Sequence, residues 1–124
     1  YYAAKGAGSF LREQGKDTQL TVAPVPKVLR IVGSRSHPSP QLQDYLQQFA
    51  EYELLSVGSS LKFCLIAEGK ADIYPRFNPT MQWDTAAGHI IATEAGASVV
   101  FDGLTDNIYQ REQLLNPGFI VSSI

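Results

Sequence analysis

The sequence predicts one α/β domain, a layered sandwich whose mixed sheet is flanked by helices, and three observations lead to this prediction. The 124 residues are 44% hydrophobic and 18% charged, which is typical of one globular domain and excludes disorder, collagen-like repeats and coiled coils. Polar and apolar residues alternate between glycine-containing turns in the first quarter, as in antiparallel strands. From residue 28 onwards, apolar strands alternate with helical patterns, which is typical of α/β layers.

The antiparallel part is expected to contain three strands with one solvated face. Strands at residues 1–4 and 9–12 are joined by a turn at 5–8, and a turn at 14–17 leads to a third strand at 18–23. The chain begins with Tyr1 in a strand pattern rather than with Met, so we expect a fragment whose N-terminal part is missing.

Strands and helices alternate in the remainder. Residues 28–32 are apolar enough for a strand buried on both faces. Further short strands are predicted at residues 54–57, 71–74, 98–101 and 119–122. The first helix begins at Ser39 and Pro40. Its apolar stripe consists of Leu42, Tyr45, Leu46, Phe49 and Ala50.

Two more helices have recognisable ends. Ser59 can cap a helix that runs to Glu68 and stops at Gly69, and its nearly continuous apolar surface places it between layers. Asp84 can cap a third helix that runs through Ala95 and stops at Gly96. The expected buried face of this helix consists of Ala87, Ile90, Ile91 and Ala95.

Charge and cysteine content exclude several functions. Ten basic and twelve acidic residues give a net charge of -2, which does not suit a nucleic-acid polymer as partner. No apolar run is long enough to span a bilayer. The single cysteine, Cys64, excludes an internal disulfide and a multi-cysteine zinc site, and a reducing compartment is expected. A buried hydrophobic role for Cys64 is favoured over a nucleophilic one.

Three polar loops follow predicted strands, where ligands bind in α/β sheets. Ser34, Arg35, Ser36 and His37 combine two hydroxyls, a cation and a titratable donor, which suit an anion, although a solvated turn is the alternative. The second loop places Lys62 at the third helical position after Ser59. A cation opposes the helix dipole there unless an anion binds, so either a phosphate site or an ordinary surface lysine fits.

The third loop contains Trp83 and Asp84, with Arg76 a few residues upstream. Small side chains after Asp84 leave its carboxylate room to reach a metal or a substrate, but an aspartate that only caps the helix is the alternative. His89 has no partner at metal-ligand spacing, so we interpret it as a packed or partly exposed histidine.

The segment Trp83-Asp84-Thr85-Ala86-Ala87-Gly88 and the helix that continues to Gly96 resemble the C-terminal signature of the inositol monophosphatase superfamily, whose members are metal-dependent, lithium-sensitive phosphatases. The resemblance is more specific to the bacterial CysQ-type 3'(2'),5'-bisphosphate nucleotidases, and this narrower resemblance is carried by residues 34–37, 58–69 and 71–76. The resemblance covers essentially the whole chain, and it implies the C-terminal domain of that fold.

The resemblance implies a role for each loop. Asp84 would be a ligand of a catalytic Mg²⁺ cluster and would contact the substrate phosphate. The residues that would hold the nucleotide are His37, Ser59, Lys62 and Arg76, with Ser36 and Ser60 as weaker candidates. Phe77 stands where inositol monophosphatases carry a glutamate that binds sugar hydroxyls, and this departure argues against inositol phosphate as the main substrate.

The implied reaction is hydrolysis of the 3'-phosphate of adenosine 3',5'-bisphosphate to AMP, or of its sulfated form PAPS to APS, in sulfate assimilation. Metal ions would generate the attacking water and offset charge on the leaving oxygen. The expected location is the cytoplasm, with peripheral attachment to the inner membrane left open. An inositol or sugar phosphatase of the same fold and a non-catalytic anion-binding module remain as alternatives.

Members of the superfamily carry a glutamate and an Asp-Pro-Ile/Leu-Asp-Gly-Thr segment that supply the other metal ligands, and neither is found here. One carboxylate cannot hold a metal cluster, because Mg²⁺ requires about six oxygen ligands. We therefore expect residues 1–124 to be a single C-terminal domain whose partner is a missing N-terminal metal-binding domain, and the chain to be inactive alone.

Overall fold

The computed structural model describes residues 1–33, 39–58 and 60–124 of the chain. In chain order the elements are β1 (Tyr2–Ala4), β2 (Gly8–Glu13), β3 (Lys16–Gln19), β4 (Leu29–Val32), α1 (Pro40–Leu46), β5 (Tyr52–Leu55), α2 (Leu61–Ala67), β6 (Ile73–Arg76), β7 (Thr80–Met81), α3 (Gln82–Glu94), β8 (Ser98–Phe101), β9 (Leu115–Asn116) and β10 (Phe119–Ser122). None of the helices in these ranges is long and apolar enough to cross a membrane.

The central sheet has the strand order β5-β4-β6-β10-β8. Strand β4 pairs in parallel with β5 and β6, whereas β10 pairs antiparallel with β6 and β8. The predicted mixed sheet is therefore confirmed. Because β4, β5 and β6 are parallel, their carboxyl ends lie at the same edge of the sheet, and the three polar loops follow these ends.

Helices cover both faces of the sheet, which confirms the layered α/β fold. Helix α2 and the sheet share a core that includes Phe63, Tyr74, Phe101, Phe119 and Val121. On the opposite face, α1 packs through Leu42 and Leu46 onto Ile31 and Ile73.

The three antiparallel strands β1, β2 and β3 are present as predicted, and they form a sheet of their own. Strands β1 and β2 pack against α3. Leu20, just after β3, is buried with Cys64 and Ile91, so α3 lies between this small sheet and α2. The predicted bounds of the third strand, residues 18–23, are wrong, because β3 spans Lys16–Gln19. The Leu20 N–H still donates to the carbonyl oxygen of Ser9 at 2.7 Å, and the Leu20 side chain is buried.

Helices α2 and α3 approach each other closely at Gly88. A Cβ atom at that position would lie 2.5 Å from Cγ and Cδ2 of Phe63, well inside van der Waals contact. Gly88 is buried within α3, so any side chain there would have to displace the Phe63 ring from the core. This contact sets how closely the second turn of α3 packs on the first turn of α2.

Three predictions about the helices were wrong: the end of α1, the start of α3 and the buried face of α3. Helix α1 ends at Leu46, so Phe49 lies beyond it, although Phe49 still packs on the α1 cluster. Helix α3 begins at Gln82 after the N-cap Met81, so Asp84 is its third residue and not its cap. Ala87 is exposed, because the contact with Phe63 places Gly88 and its helical neighbours in the core instead. The buried residues of α3 are Gln82, Thr85, Gly88, Ile91 and Ala92.

Two strands were displaced along the sequence, and a short ladder was missed. The strands predicted at 54–57 and 71–74 are Tyr52–Leu55 and Ile73–Arg76. Strands β7 and β9 pair antiparallel through two residues each, and β7 directly precedes α3. Gly69 and Gly96, with φ of +72° and +105°, follow α2 and α3 as the predicted helix stops.

Candidate functional site

A cavity of about 450 Å³ lies at the carboxyl end of β6, between the first turns of α2 and α3. It brings together Lys62, Arg76 and Asp84, three of the residues that sequence analysis selected, and also Ser60. The other lining residues are Phe63, Tyr74, Thr80, Trp83, Thr85 and Phe119. The cavity thus combines two cations, a carboxylate and hydroxyl groups with an aromatic wall.

A smaller cavity of about 50 Å³ adjoins the first and shares Lys62, Tyr74 and Arg76 with it. It reaches Gly33, at the carboxyl end of β4, and Ser39, which caps α1. The predicted site residues Ser34, Arg35, Ser36, His37 and Ser59 lie outside the described residues. Their assignment therefore stays a prediction.

Lys62 is the second residue of α2, which corrects the predicted third position. Helix α2 begins at Leu61, and the N-cap Ser60 makes no side-chain capping hydrogen bond. The Lys62 ammonium nitrogen lies 5.4 Å from the centroid of the Tyr74 ring, a cation–π arrangement. Burial, and in second place the charge of Arg76, lower the pKa of Lys62 below that of an ordinary lysine.

Arg76 ends β6 and faces the same cavity as Lys62. Its Nε donates a hydrogen bond to the carbonyl oxygen of Asn78 at 3.2 Å. Within the described ranges, no carboxylate forms an ion pair with Lys62 or Arg76, since the ion pairs found there are Arg12–Asp17, Arg30–Asp72 and Lys70–Glu68. Two like charges that face one cavity repel each other, and an anion bound between them would relieve that repulsion.

Asp84 is exposed on the first turn of α3 and lines the cavity. Its Oδ2 accepts a hydrogen bond from the Met81 backbone N–H at 2.9 Å, which satisfies one of the free amides at the helix start. The carboxylate thus reaches a backbone amide as predicted, although from the third helical position. Among the described residues, Oδ1 has no hydrogen-bond partner, so this oxygen is available to a ligand.

A buried polar network lies behind Asp84, and sequence analysis missed it. Asn116 in β9 is 2% exposed, and its Nδ2 donates to Thr85 Oγ1 at 3.0 Å and to Thr80 Oγ1 at 3.3 Å. These bonds join β9 to β7 and to the first turn of α3. They fix the two segments that flank Asp84, so the network positions its carboxylate.

The network extends to His89. The Tyr109 hydroxyl donates to Thr85 Oγ1 at 3.2 Å, so the hydroxyl oxygen accepts from His89 Nδ1 at 2.8 Å. Burial lowers the pKa of the His89 imidazole, which is half-buried as predicted. The neutral ring with its proton on Nδ1 fits these partners.

The donor set of the described residues does not make a complete metal site. It contains no group of three or more His, Cys, Asp or Glu side chains that could hold an ion. Asp84 can supply one oxygen, whereas Mg²⁺ takes about six oxygen ligands in octahedral geometry. These residues therefore fit the role of a single ligand and leave the others to further groups.

Cys64 takes no part in the cavity. It is buried in the cluster between α2, α3 and the small sheet, as predicted. Burial, the largest influence, raises the pKa of the Cys64 thiol. A thiol that stays protonated is a poor nucleophile, so the predicted packing role is supported.

Comparison with known proteins gives consistent results. The inositol monophosphatase family matches residues 1–123. The 3'(2'),5'-bisphosphate nucleotidase CysQ of Salmonella typhimurium is 50% identical over 123 residues, which cover 98% of this chain and 49% of that protein. The CysQ protein of Escherichia coli K12 is 49% identical over the same share of both chains. The chain spans about half the length of the curated relatives it matches.

Solved structures show the same fold. The structure of CysQ from Bacteroides thetaiotaomicron, described as a bacterial member of the inositol monophosphatase family, matches with a TM-score of 0.79 and 41% identity. The match covers 96% of this chain and 52% of that one. An inositol monophosphatase from Anabaena (Nostoc) sp. PCC 7120 matches with a TM-score of 0.67 and 21% identity, over 98% of this chain and 48% of its own.

Proposed function

Because the chain belongs to the inositol monophosphatase family, we propose that it is the substrate-binding half of a phosphatase that removes the 3'-phosphate from adenosine 3',5'-bisphosphate. One observation carries the proposal: Lys62 and Arg76 face one cavity with Asp84, and neither cation has a carboxylate partner among the described residues. Relatives at 49% to 50% identity bear the name of such a nucleotidase.

The surroundings of Phe77 support a nucleotide over an inositol phosphate. Phe77 follows β6 and lines the smaller cavity. Its ring lies 5.7 Å from that of Tyr45 and packs on the α1 cluster, so it offers no hydrogen-bonding group to sugar hydroxyls. A full-length enzyme containing this chain should therefore hydrolyse adenosine 3',5'-bisphosphate, or its sulfated form, in preference to inositol monophosphate.

In the proposed hydrolysis, the role of this chain is to bind and orient the phosphate groups of the substrate. The Lys62 ammonium and the Arg76 guanidinium neutralise phosphate oxygens, and their positions on α2 and β6 hold the ester in one orientation. Asp84 presents one carboxylate oxygen towards the same volume, fixed by the Met81 amide and the Asn116 network. Mg²⁺, with Asp84 as one ligand, would supply a nucleophilic water and offset charge on the leaving oxygen.

The same proposal implies a partner domain, a metabolic role and a cellular location. A second half of the enzyme supplies the remaining metal ligands, because one carboxylate cannot anchor a hard cation. Hydrolysis of the 3'-phosphate yields a 5'-nucleotide, AMP from the bisphosphate and APS from its sulfated form, which suits a cytoplasmic enzyme of sulfate assimilation.

The isolated chain is expected to release no phosphate from adenosine 3',5'-bisphosphate in the presence of Mg²⁺. The reason is that Asp84 provides only one of the roughly six ligands that the ion needs. Phosphate release is measured colorimetrically, with a full-length enzyme as the positive control. Robust turnover by the chain alone would contradict the division of the metal site between two halves.

Lys62→Met is expected to weaken binding of adenosine 3',5'-bisphosphate to the chain about 10-fold or more, because it removes a charge-assisted contact to phosphate. The affinity is measured by titration calorimetry without Mg²⁺. Lys70→Met is the matched control, since Lys70 is exposed and paired with Glu68 outside the cavity. If the Lys62→Met and Lys70→Met variants bind the nucleotide with equal affinity, Lys62 does not contact its phosphates.

The pH dependence of the same titration gives an independent check. The ammonium binds phosphate only when protonated, so affinity is highest below the pKa of Lys62 and falls as the pH rises through it. Burial and Arg76 lower that pKa, so the fall begins at a lower pH than an ordinary lysine would give. Lys62→Arg is expected to abolish this fall, because a guanidinium stays protonated.

A further inference from the structure

Tyr74, in the middle of β6, is a buried residue that lies beside both cations of the larger cavity. It is 5% exposed and lines the larger and the smaller cavity. The Lys62 ammonium nitrogen lies 5.4 Å from the centroid of its ring. Burial, the largest influence, raises the pKa of the Tyr74 hydroxyl, whereas the charge of Arg76 lowers it. The phenol therefore stays protonated, and the Lys62 ammonium faces a neutral π system.

The aromatic neighbours of Tyr74 fix the orientation of its ring. The rings of Phe63 and Phe119 each have their centroid 5.4 Å from that of Tyr74, and each is inclined at 87° to it. Such edge-to-face pairs are a favoured arrangement of aromatic side chains, and all three residues belong to one buried core. The Tyr74 ring cannot turn without displacing both neighbours, so the face beside Lys62 is held still.

The Tyr74 ring is also the group that holds the Lys62 ammonium in the cavity. Within residues 1–33, 39–58 and 60–124, neither a carboxylate nor a hydrogen-bond acceptor contacts this ammonium, and the contact found there is the one with the ring. A mobile lysine side chain loses conformational entropy when a ligand fixes it. A ring that already holds the ammonium reduces this loss, because the phosphate then meets a preorganised cation.

We propose that Tyr74 is a positioning residue, whose ring holds the Lys62 ammonium by a cation–π contact and thereby strengthens binding of the substrate phosphate. This inference rests on the proposed function and deepens it, because it assigns the orientation of Lys62 to a residue that acts through another side chain. A cation–π contact of this kind is worth about 2- to 30-fold in affinity.

Stepwise fluorination of the ring tests the contact with little change in packing. Tyr74→Phe is the reference, because it keeps the ring beside Lys62 and removes only the hydroxyl. Fluorine withdraws electrons from the ring face, so phenylalanines with more fluorines at position 74 attract a cation progressively less. The Kd of adenosine 3',5'-bisphosphate, measured by titration calorimetry without Mg²⁺, is expected to rise with each fluorine, by about 2- to 30-fold over the series.

Two further series show whether the ring acts through Lys62. In the Lys62→Met background, fluorination at position 74 is expected to leave the Kd unchanged, because the cation that responds to the ring is absent. Fluorination of Phe101 is the matched control, since Phe101 belongs to the same buried core and lines neither cavity. It should not change the Kd in either background. Urea denaturation measures the free energy of unfolding of every variant.

The outcomes separate this inference from the proposed function. A Kd that is independent of fluorination at position 74, in a chain whose binding Lys62→Met weakens, overturns the positioning role and leaves the proposed function standing. A rise of equal size with and without Lys62, in step with the free energy of unfolding, also overturns it, because Tyr74 then has only a packing role. Failure of the nucleotide to bind both this chain and a full-length enzyme overturns the proposed function, and the positioning role with it.

Discussion

Replacement of Asp84 by asparagine is expected to lower the turnover of a full-length enzyme containing this chain by at least about 100-fold. Residues that only support a metal ligand typically change metal affinity or activity by about 10- to 100-fold, and a ligand itself should count for more. The substitution removes the negative charge that a hard cation requires.

Asparagine is the informative replacement because it preserves the local structure. Oδ2 of Asp84 accepts a hydrogen bond from the Met81 backbone N–H at 2.9 Å, and an amide oxygen can accept the same bond. The first turn of α3 should therefore stay in place, and the free energy of unfolding should change little. A loss of activity can then be assigned to the charge and not to the helix start.

The measurement pairs phosphate release with a calorimetric titration of Mg²⁺. Asp106→Asn is the matched control, because it makes the same change in charge at an exposed residue outside the cavity. Asp84→Asn should weaken Mg²⁺ binding, and Asp106→Asn should leave it unchanged. Unchanged Mg²⁺ affinity in the Asp84 variant would count decisively against the metal role.

The three site residues that the structure gathers lie in loops that a general rule about α/β sheets singles out. Lys62 and Arg76 follow predicted strands, and β4, β5 and β6 are parallel neighbours, so the loops after these strands lie at one edge of the sheet. The rule alone left an ordinary surface lysine and an aspartate that only caps the helix as alternatives. The roles of Lys62, Arg76 and Asp84 came from the resemblance to the inositol monophosphatase superfamily, and these roles stay predictions.

The support behind Asp84 could not be predicted in the same way. Asn116 lies in a strand of two residues, which is too short for an alternating pattern, and its partners Thr80 and Thr85 are more than thirty positions away. Only the folded chain brings this amide between the two hydroxyls. A lone asparagine before a proline predicts a turn far more readily than a buried network.

The start of α3 could not be predicted from the local sequence either. Aspartate is a frequent N-cap, so Asp84 was assigned that position, but the N-cap of α3 is Met81, three residues earlier. The Gln82 side chain is buried and donates to the carbonyl oxygens of Arg111 and Gln113. These distant partners stabilise the extra residues at the helix start, and local propensity contains no information about them.

A second large effect is expected for stability at the opposite end of the parallel strands. Asp72, just before β6, is fully buried, and its carboxylate accepts hydrogen bonds from the Arg30 backbone N–H and from Nε and Nη2 of the Arg30 guanidinium, at 2.8 to 2.9 Å. Hydrogen bonding to Asp72 raises the pKa of Arg30 above its ordinary value. The pair joins β4 to β6, the strand that ends at Arg76 in the cavity.

Arg30→Met is expected to lower the free energy of unfolding by about 3 to 5 kcal/mol, because it leaves a buried carboxylate without its charge partner. Arg12→Met is the matched control. It breaks the Arg12–Asp17 pair, whose side chains are 63% and 37% exposed, and should cost no more than about 1 kcal/mol. Urea denaturation at neutral pH measures both, and Asp72→Asn added to Arg30→Met should restore part of the loss, since it removes the unpaired charge. Equal losses in the two arginine variants would mean that the buried pair contributes no more than a surface pair, and that β4 and β6 are aligned by their apolar contacts alone.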